Sequence, residues 1–174
     1  MGQAAVRAAI TNALVTAQFT GVGAVHAARG YISEQDYEQN AATFYTQTIN
    51  GSGCVIVVNL GVDDKRMRRA DVGRGAVNDT NIHMVVLELF FANKAGDPLQ
   101  AQFDYDAVVD QVVPFVRYNP TMSAPDTVWS AGEYQSGVVH RQSTPFTSAD
   151  GTTVFINGVV RFEAWEWITG QVPY

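Results

Sequence analysis

Apolar residues recur at Val6, Ala9, Ile10, Ala13, Leu14 and Ala17, steps of three and four that make one face of an amphipathic helix over residues 3–18. Gly21 and Gly23 follow and are expected to end it. Residues 31–50 open with Ser33 and, three positions on, Asp36, an acceptable helix start, but Asn40, Thr43, Thr46 and Thr48 weaken any continuation. A short helix or an extended arm is expected there. Gly51, Ser52 and Gly53 then punctuate the chain before a β-branched run from Cys54 to Leu60 that suits a buried strand. Over residues 82–92, Val85, Leu87, Leu89 and Phe91 alternate with Met84, Val86, Glu88 and Phe90. Both parities are largely apolar, which predicts a central strand covered on both faces, with Glu88 as the charged exception that needs a partner or a route to solvent.

After a turn over residues 93–98 the period changes. Phe103, Ala107, Val108, Val112 and Val116 fall roughly on one side of a second helix, with Asp106 and Asp110 elsewhere. Pro114 should kink or finish this helix, and Asn119 with Pro120 close it. Two short strands are expected over residues 127–130 and 137–142, and Asp150-Gly151 marks a hairpin turn. A long strand then covers residues 154–168. One parity, Val154, Ile156, Gly158, Val160, Phe162 and Ala164, forms its inward face. The other holds Phe155, Arg161, Glu163, Trp165 and Trp167, in which aromatic residues interleave with charges as they do in contact hot spots. Such a stripe is either a subunit interface or a patch covered by a helix. The order helix, strand, strand, helix, strands predicts an α+β fold with a mostly antiparallel sheet and helices packed on one face.

Composition narrows the class. A chain of 174 residues with 47% hydrophobic and 16% charged residues is too apolar for disorder and is expected to form a single domain, residues 1–174. No apolar stretch reaches the roughly 20 residues of a bilayer span, so no membrane is expected. Five of the eleven basic residues, Lys65, Arg66, Arg68, Arg69 and Arg74, lie within ten positions. Against Asp71 that stretch carries a net +4, which leaves −10 on the remainder of a chain whose total is −6. We expect a projecting basic loop over residues 63–80, a device for contacting a polyanion, an acidic partner or an acidic neighbouring subunit.

Catalytic signatures are missing. The sequence has no GxxxxGK[ST], GxSxG, HExxH or GxGxxG pattern. Cys54 stands alone inside Val55 to Val58, where burial is its expected state, and His26, His83 and His140 lie far apart without carboxylates at ligand spacing. Asp104, Asp106 and Asp110 more readily serve the N-terminus and outer face of a helix than a divalent ion. Neither a cofactor nor a metal is expected. Gly73-Arg74-Gly75 is a weak sign of a phosphate-binding nest, and no helix-turn-helix, zinc-finger or RNP pattern supports a nucleic-acid role beyond charge.

Several segments in order carry a resemblance. They are the Arg-rich, Gly-containing stretch Lys65 to Gly75, the strand Ile82 to Phe91, the acidic helix Phe103 to Asp110, the segment Thr127-Val128-Trp129-Ser130-Ala131-Gly132-Glu133, and the final strand Val160 to Ile168. Together with the N-terminal helix they resemble the tail terminator proteins of long-tailed, non-contractile phages, particularly those infecting actinobacteria. The resemblance implies a non-catalytic virion protein in the tail-neck region, assembled in the host bacterial cytoplasm. It further implies a homo-oligomeric ring, a hexamer, that caps the tail tube and meets the head–tail connector or stopper protein. In such a ring Lys65, Arg66, Arg68, Arg69 and Arg74 would contact a protein partner or the lumen through which genomic DNA passes, with Phe155, Arg161, Glu163, Trp165 and Trp167 at the subunit interface. The rival readings are another neck or tail-tube component, a DNA-binding module that uses the basic loop as a clamp, and a small enzyme built around Asp104, Asp106 and His83.

Overall fold

The computed structural model describes residues 3–27, 52–60, 65–70, 76–119, 122, 128–130 and 137–171. The first helix, α1 (Gln3–Ala17), buries Val6, Ile10, Ala13 and Leu14 as the apolar stripe requires. Its end differs from expectation. Gln18 takes the left-handed conformation at φ 50°, and Gly23 lies inside a strand that the sequence pattern does not announce, β1 (Val22–His26). Gly21, at φ 85°, turns the chain into it; a Cβ there would stand 3.1 Å from Val108 Cγ2, so the close approach to the second helix also favours glycine.

The sheet is built on β2 (Ser52–Leu60), β4 (Ala76–Asn93) and β8 (Val154–Gln171), adjacent and antiparallel. β1 pairs parallel with β2 at one edge, and β3 (Lys65–Ala70) pairs antiparallel with the start of β4. β5 (Val128–Ser130), β6 (Val139–Gln142) and β7 (Phe146–Thr147) pair in turn with β8. The fold is therefore α+β with a mostly antiparallel sheet. The expected loop over residues 63–80 is in large part strand: residues 65–70 and 76–80 are two arms of a hairpin. Alternation of apolar residues is weak there, and pairing to the already ordered β4 and β8 supplies what propensity does not.

The second helix, α2 (Pro98–Tyr118), starts where Asp97 Oδ1 accepts from the Leu99 and Gln100 backbone N–H groups, at 2.9 and 3.3 Å, and Pro98 occupies a first-turn position that needs no donor. Asn119 closes it, donating its backbone N–H to the Phe115 carbonyl at 3.0 Å. Pro114 neither ends the helix nor stops its packing. A mid-helix proline costs about 3 kcal/mol, but full burial of Val112 and Val116 on either side contributes about 1.5–3 kcal/mol each. Burial wins. The buried stripe is Ala101, Tyr105, Val108, Val112 and Val116 rather than the one containing Phe103 and Ala107. Phe103 lies two residues, about 200° around the helix, from both Ala101 and Tyr105, and it is 58% exposed.

Both helices pack on one face of the sheet. Cys54, Ile56 and Val58 of β2, Val85, Leu87, Leu89 and Phe91 of β4, and Val154, Ile156, Val160, Phe162 and Ala164 of β8 meet them in one core. The inward parity read for the last strand thus holds throughout. Gly158 sits within that row because Tyr105 stands over it: a Cβ at this position would overlap the Tyr105 hydroxyl. On the opposite face Glu88 accepts from Asn59 Nδ2 at 2.8 Å, which answers the charge in the central strand. A second, smaller cluster there joins Val55, Val57, Ala92 and Phe155, and it contains no helix residue.

Two measurements test this packing. Gly158→Ala should destabilise the fold by about 1–3 kcal/mol, seen as a lower urea midpoint, because the added Cβ overlaps the hydroxyl of the fully buried Tyr105. The Cys54 thiol, pushed up to about 12 by burial, should be silent toward an aromatic disulfide reagent at pH 8 and react at once in denaturant.

Candidate subunit-contact surface

Polar side chains near the start of α2 converge on one carboxylate. Ser52 Oγ donates to Asp104 Oδ2 at 2.7 Å, Asn93 Nδ2 donates to the same oxygen at 3.2 Å, and Gln100 Nε2 donates to Oδ1 at 2.7 Å. Asn93 also bridges to Ser52 Oγ at 2.8 Å and accepts from the Ala95 N–H, again at 2.8 Å. These bonds tie the ends of β2 and β4 to the helix, and both Asp104 oxygens are engaged in them. A shallow groove of about 200 Å³ runs alongside, lined by Thr20, Gly21, Ser52, Phe91, Asp104 and Gln111 among others. Gln111 closes one end by exchanging two hydrogen bonds with the Thr20 backbone, at 2.9 and 3.1 Å.

The groove contains neither Asp106 nor His83. Asp106 accepts from Gln102 Nε2 at 2.7 Å on the exposed side of α2. His83 is buried ten residues along β4 from Asn93, about 33 Å away at strand rise. The three residues of the enzyme reading are thus not brought together. Among the described residues no group of three His, Cys, Asp or Glu side chains is placed to hold a metal ion, and no helix is long and apolar enough to cross a membrane.

A second polar contact lies where α2 meets the sheet edge. Tyr105 Oη and His140 Nε2 are 2.8 Å apart, so β6 is pinned to the helix through the side chain that Gly158 accommodates. Burial raises the Tyr105 phenol well above its ordinary value, with the Cys54 and Asp106 charges adding to the effect, and it lowers His140, against which the Asp106 charge acts. Pattern reading missed this pair; an isolated glycine in a strand interior was the available signal.

The helix-free face differs in character along its length. Of the five residues expected at a subunit interface, Phe155 is only 9% exposed and belongs to the small cluster, while the ring stacked on it at 5.2 Å, Phe146, is 43% exposed. Arg161 is exposed, Glu163 and Trp165 are half-buried, and the Trp165 indole N–H donates to Glu163 Oε2 at 3.3 Å. Trp167 has its backbone in β8, opposite Thr80. Register adds two residues the sequence did not single out. Val139 pairs with Arg161, and Arg141 with Val159, so both lie on the same face, and both are exposed. The result is a strip of apolar and arginine residues, Val139, Arg141, Phe146, Val159 and Arg161, along β6, β7 and β8.

Lys65, Arg66, Arg68 and Arg69 all lie on β3, and Arg74 is outside the described residues, as is the expected arm over residues 31–50. Register divides the four cations. Arg66 stands opposite Asn81, itself opposite Glu166, and Arg68 stands opposite Asp79. The rows of Lys65, with Ile82 and Trp165, and of Arg69, with Asn78 and Thr169, contain no acidic residue.

No family model and no curated protein matches the sequence. Among solved structures, a chain of the virion of a native gene transfer agent particle is similar at 14% identity, with 95% of this chain and 96% of that chain covered and a TM-score of 0.38.

Acid should loosen the Tyr105–His140 contact. A histidine whose folded value is lowered binds fewer protons in the native state than in the unfolded chain. Stability is therefore full above the unfolded value near 6.5 and declines as pH falls below it. Urea midpoints measured from pH 8 to pH 5 should fall for the wild type and fall less steeply for His140→Gln.

Proposed function

We propose that this chain is a structural virion protein that assembles into a homo-oligomeric ring, a hexamer, which caps the tail tube of a long-tailed, non-contractile phage and joins it to the head–tail connector. The observation that carries the reading is the strip on the helix-free face, where Val139, Arg141 and Arg161 are exposed together and Phe146 is exposed further along β8, opposite Phe155. Exposed apolar and arginine side chains in one row are the composition of a protein contact. The order of segments that resembles the tail terminator proteins supplies the kind of assembly. The one carboxylate lining the groove, Asp104, supports the same reading, since it accepts from Ser52 and Asn93 and so holds α2 to the sheet.

A protein contact is favoured over a DNA clamp for β3. Asp79 and Glu166 share cross-strand rows with Arg68 and Arg66, which halves the local excess of positive charge that a phosphate backbone would meet. Another neck or tail-tube component would use the same surfaces, and its position in the particle distinguishes it.

Mass photometry and negative-stain images of the purified chain, alone and with tail tubes, test the ring. A monomer at every concentration and in the presence of tubes would end the proposal. Arg161→Glu should leave the unfolding free energy of the monomer, from urea titration, within about 0.5 kcal/mol of wild type. The same change should weaken ring assembly by about 2 kcal/mol per contact, roughly thirty-fold in each pairwise dissociation constant.

A further inference from the structure

The outward side of α2 carries a patch opposite in charge to the strip on the helix-free face. Leu99, Phe103, Asp106, Asp110 and Arg117 fall within about 60° of one another around the helix, turned away from its buried stripe, and all five are exposed. The two apolar members are the most open of them in character, Leu99 at 64% and Phe103 at 58%. Asp106 accepts one bond from Gln102 of the same helix, and Asp110 and Arg117 make no hydrogen bond or ion pair among the described residues.

The strip offers the matching sequence of groups. Its apolar end is Phe146, stacked on Phe155, and Arg141 and Arg161 follow along β8, both exposed and both without a hydrogen bond or ion pair among the described residues. Glu88 lies in the row of Arg141, beyond Val159, but it is held by Asn59. Glu163, half-buried, ends the strip two residues past Arg161. Along α2 the order is therefore apolar, apolar, acid, acid, base; along the strip it is apolar, base, base, acid. Length agrees with order. From Leu99 to Arg117 the helix rises about 27 Å, with Asp106 and Asp110 about 10 and 16 Å from the start. From the Phe155 row to Glu163 the strand rises about 26 Å, with the Arg141 and Arg161 rows about 13 and 20 Å from the start. Mismatches of 3–4 Å at about this scale are within the reach of an arginine side chain.

Topology decides which copy supplies each side. α2 packs on one face of the sheet and the strip lies on the other, so a subunit cannot lay its own helix on its own strip. Two copies joined strip to strip about a twofold axis would set Arg141 and Arg161 against the same arginines, and two joined helix to helix would set Asp106 against Asp110; like charges in such positions repel. Only the helix of one copy against the strip of another pairs every charge with its opposite.

Resting on the ring reading above, we propose that the outward face of α2 in one subunit docks on the helix-free strip of the next, with Leu99 and Phe103 beside Phe146, the Asp106 and Asp110 carboxylates facing Arg141 and Arg161, and Arg117 facing Glu163. Each copy then gives a helix and receives one. That is the head-to-tail relation that closes a ring.

The test uses the full chain with single added cysteines, Phe103→Cys in one preparation and Phe146→Cys in another; Cys54 is buried and stays as an inert background. In the dilute monomer both new thiols should react with a maleimide, and a Phe146→Cys thiol that stays unreactive there would show the subunit's own chain covering the strip and overturn the proposal. The two proteins are then mixed, assembled and treated with a short bismaleimide. A covalent dimer in the ring fraction of the mixture, absent from either variant alone, is the expected result. Rings that form without that dimer, or that give it from one variant by itself, overturn the proposal and leave the ring intact. Absence of rings in wild type removes both readings. Charge exchange gives an independent measure. Asp110→Lys alone should raise the pairwise dissociation constant more than tenfold, and Asp110→Lys placed in the Arg161→Glu chain should bring it back to within threefold of wild type. A double variant no better than either single one overturns the pairing.

Discussion

The pairing of β4 with β8 is the interaction on which the molecule depends. Each strand has 18 residues, and they remain in register from Asn93 opposite Val154 to Ala76 opposite Gln171. At strand rise the pair is about 60 Å long, whereas a compact domain of this chain length is about 40 Å across. One strand pair therefore serves two purposes. Its first part carries the helices and the core, up to about His83 and Ala164, and its continuation carries β3 and β5 beyond the helix-covered rows.

Because strand side chains alternate, the same register divides the chemistry between faces. The row from Val154 to Ala164 faces α1 and α2, and nothing larger than hydrogen fits at Gly158 beneath Tyr105. The opposite row is free of helix residues and mixes a small apolar cluster with arginines. Polar groups on the core side satisfy one another, as Ser52, Asn93 and Asp104 do, which makes them structural ties between helix and sheet.

Among the described residues the basic strand β3 pairs only with β4, at an edge of the sheet. Natural sheets guard such edges with charge, lysine above all, to deter indiscriminate pairing.

Much of the architecture was legible in periodicity. The stripe of Val6, Ile10, Ala13 and Leu14, the two-sided run from Val85 to Phe91 and the inward parity of the last strand all follow from local spacing, because burial imposes a period of 3.6 or 2 whatever surrounds the element. Absence of nucleotide-binding and hydrolase motifs was likewise evident. What the pattern could not supply was anything set by pairing at a distance. Lys65–Ala70 is polar enough to read as a loop and becomes a strand because β4 offers a partner. α2 runs through Pro114 because the core buries valines on both sides of it, and Tyr105 displaces Phe103 from the core because the sheet leaves a gap at Gly158. Which residues form the exposed strip was decided by the register of β6 and β7 on β8, since exposure depends on neighbours that no local window contains.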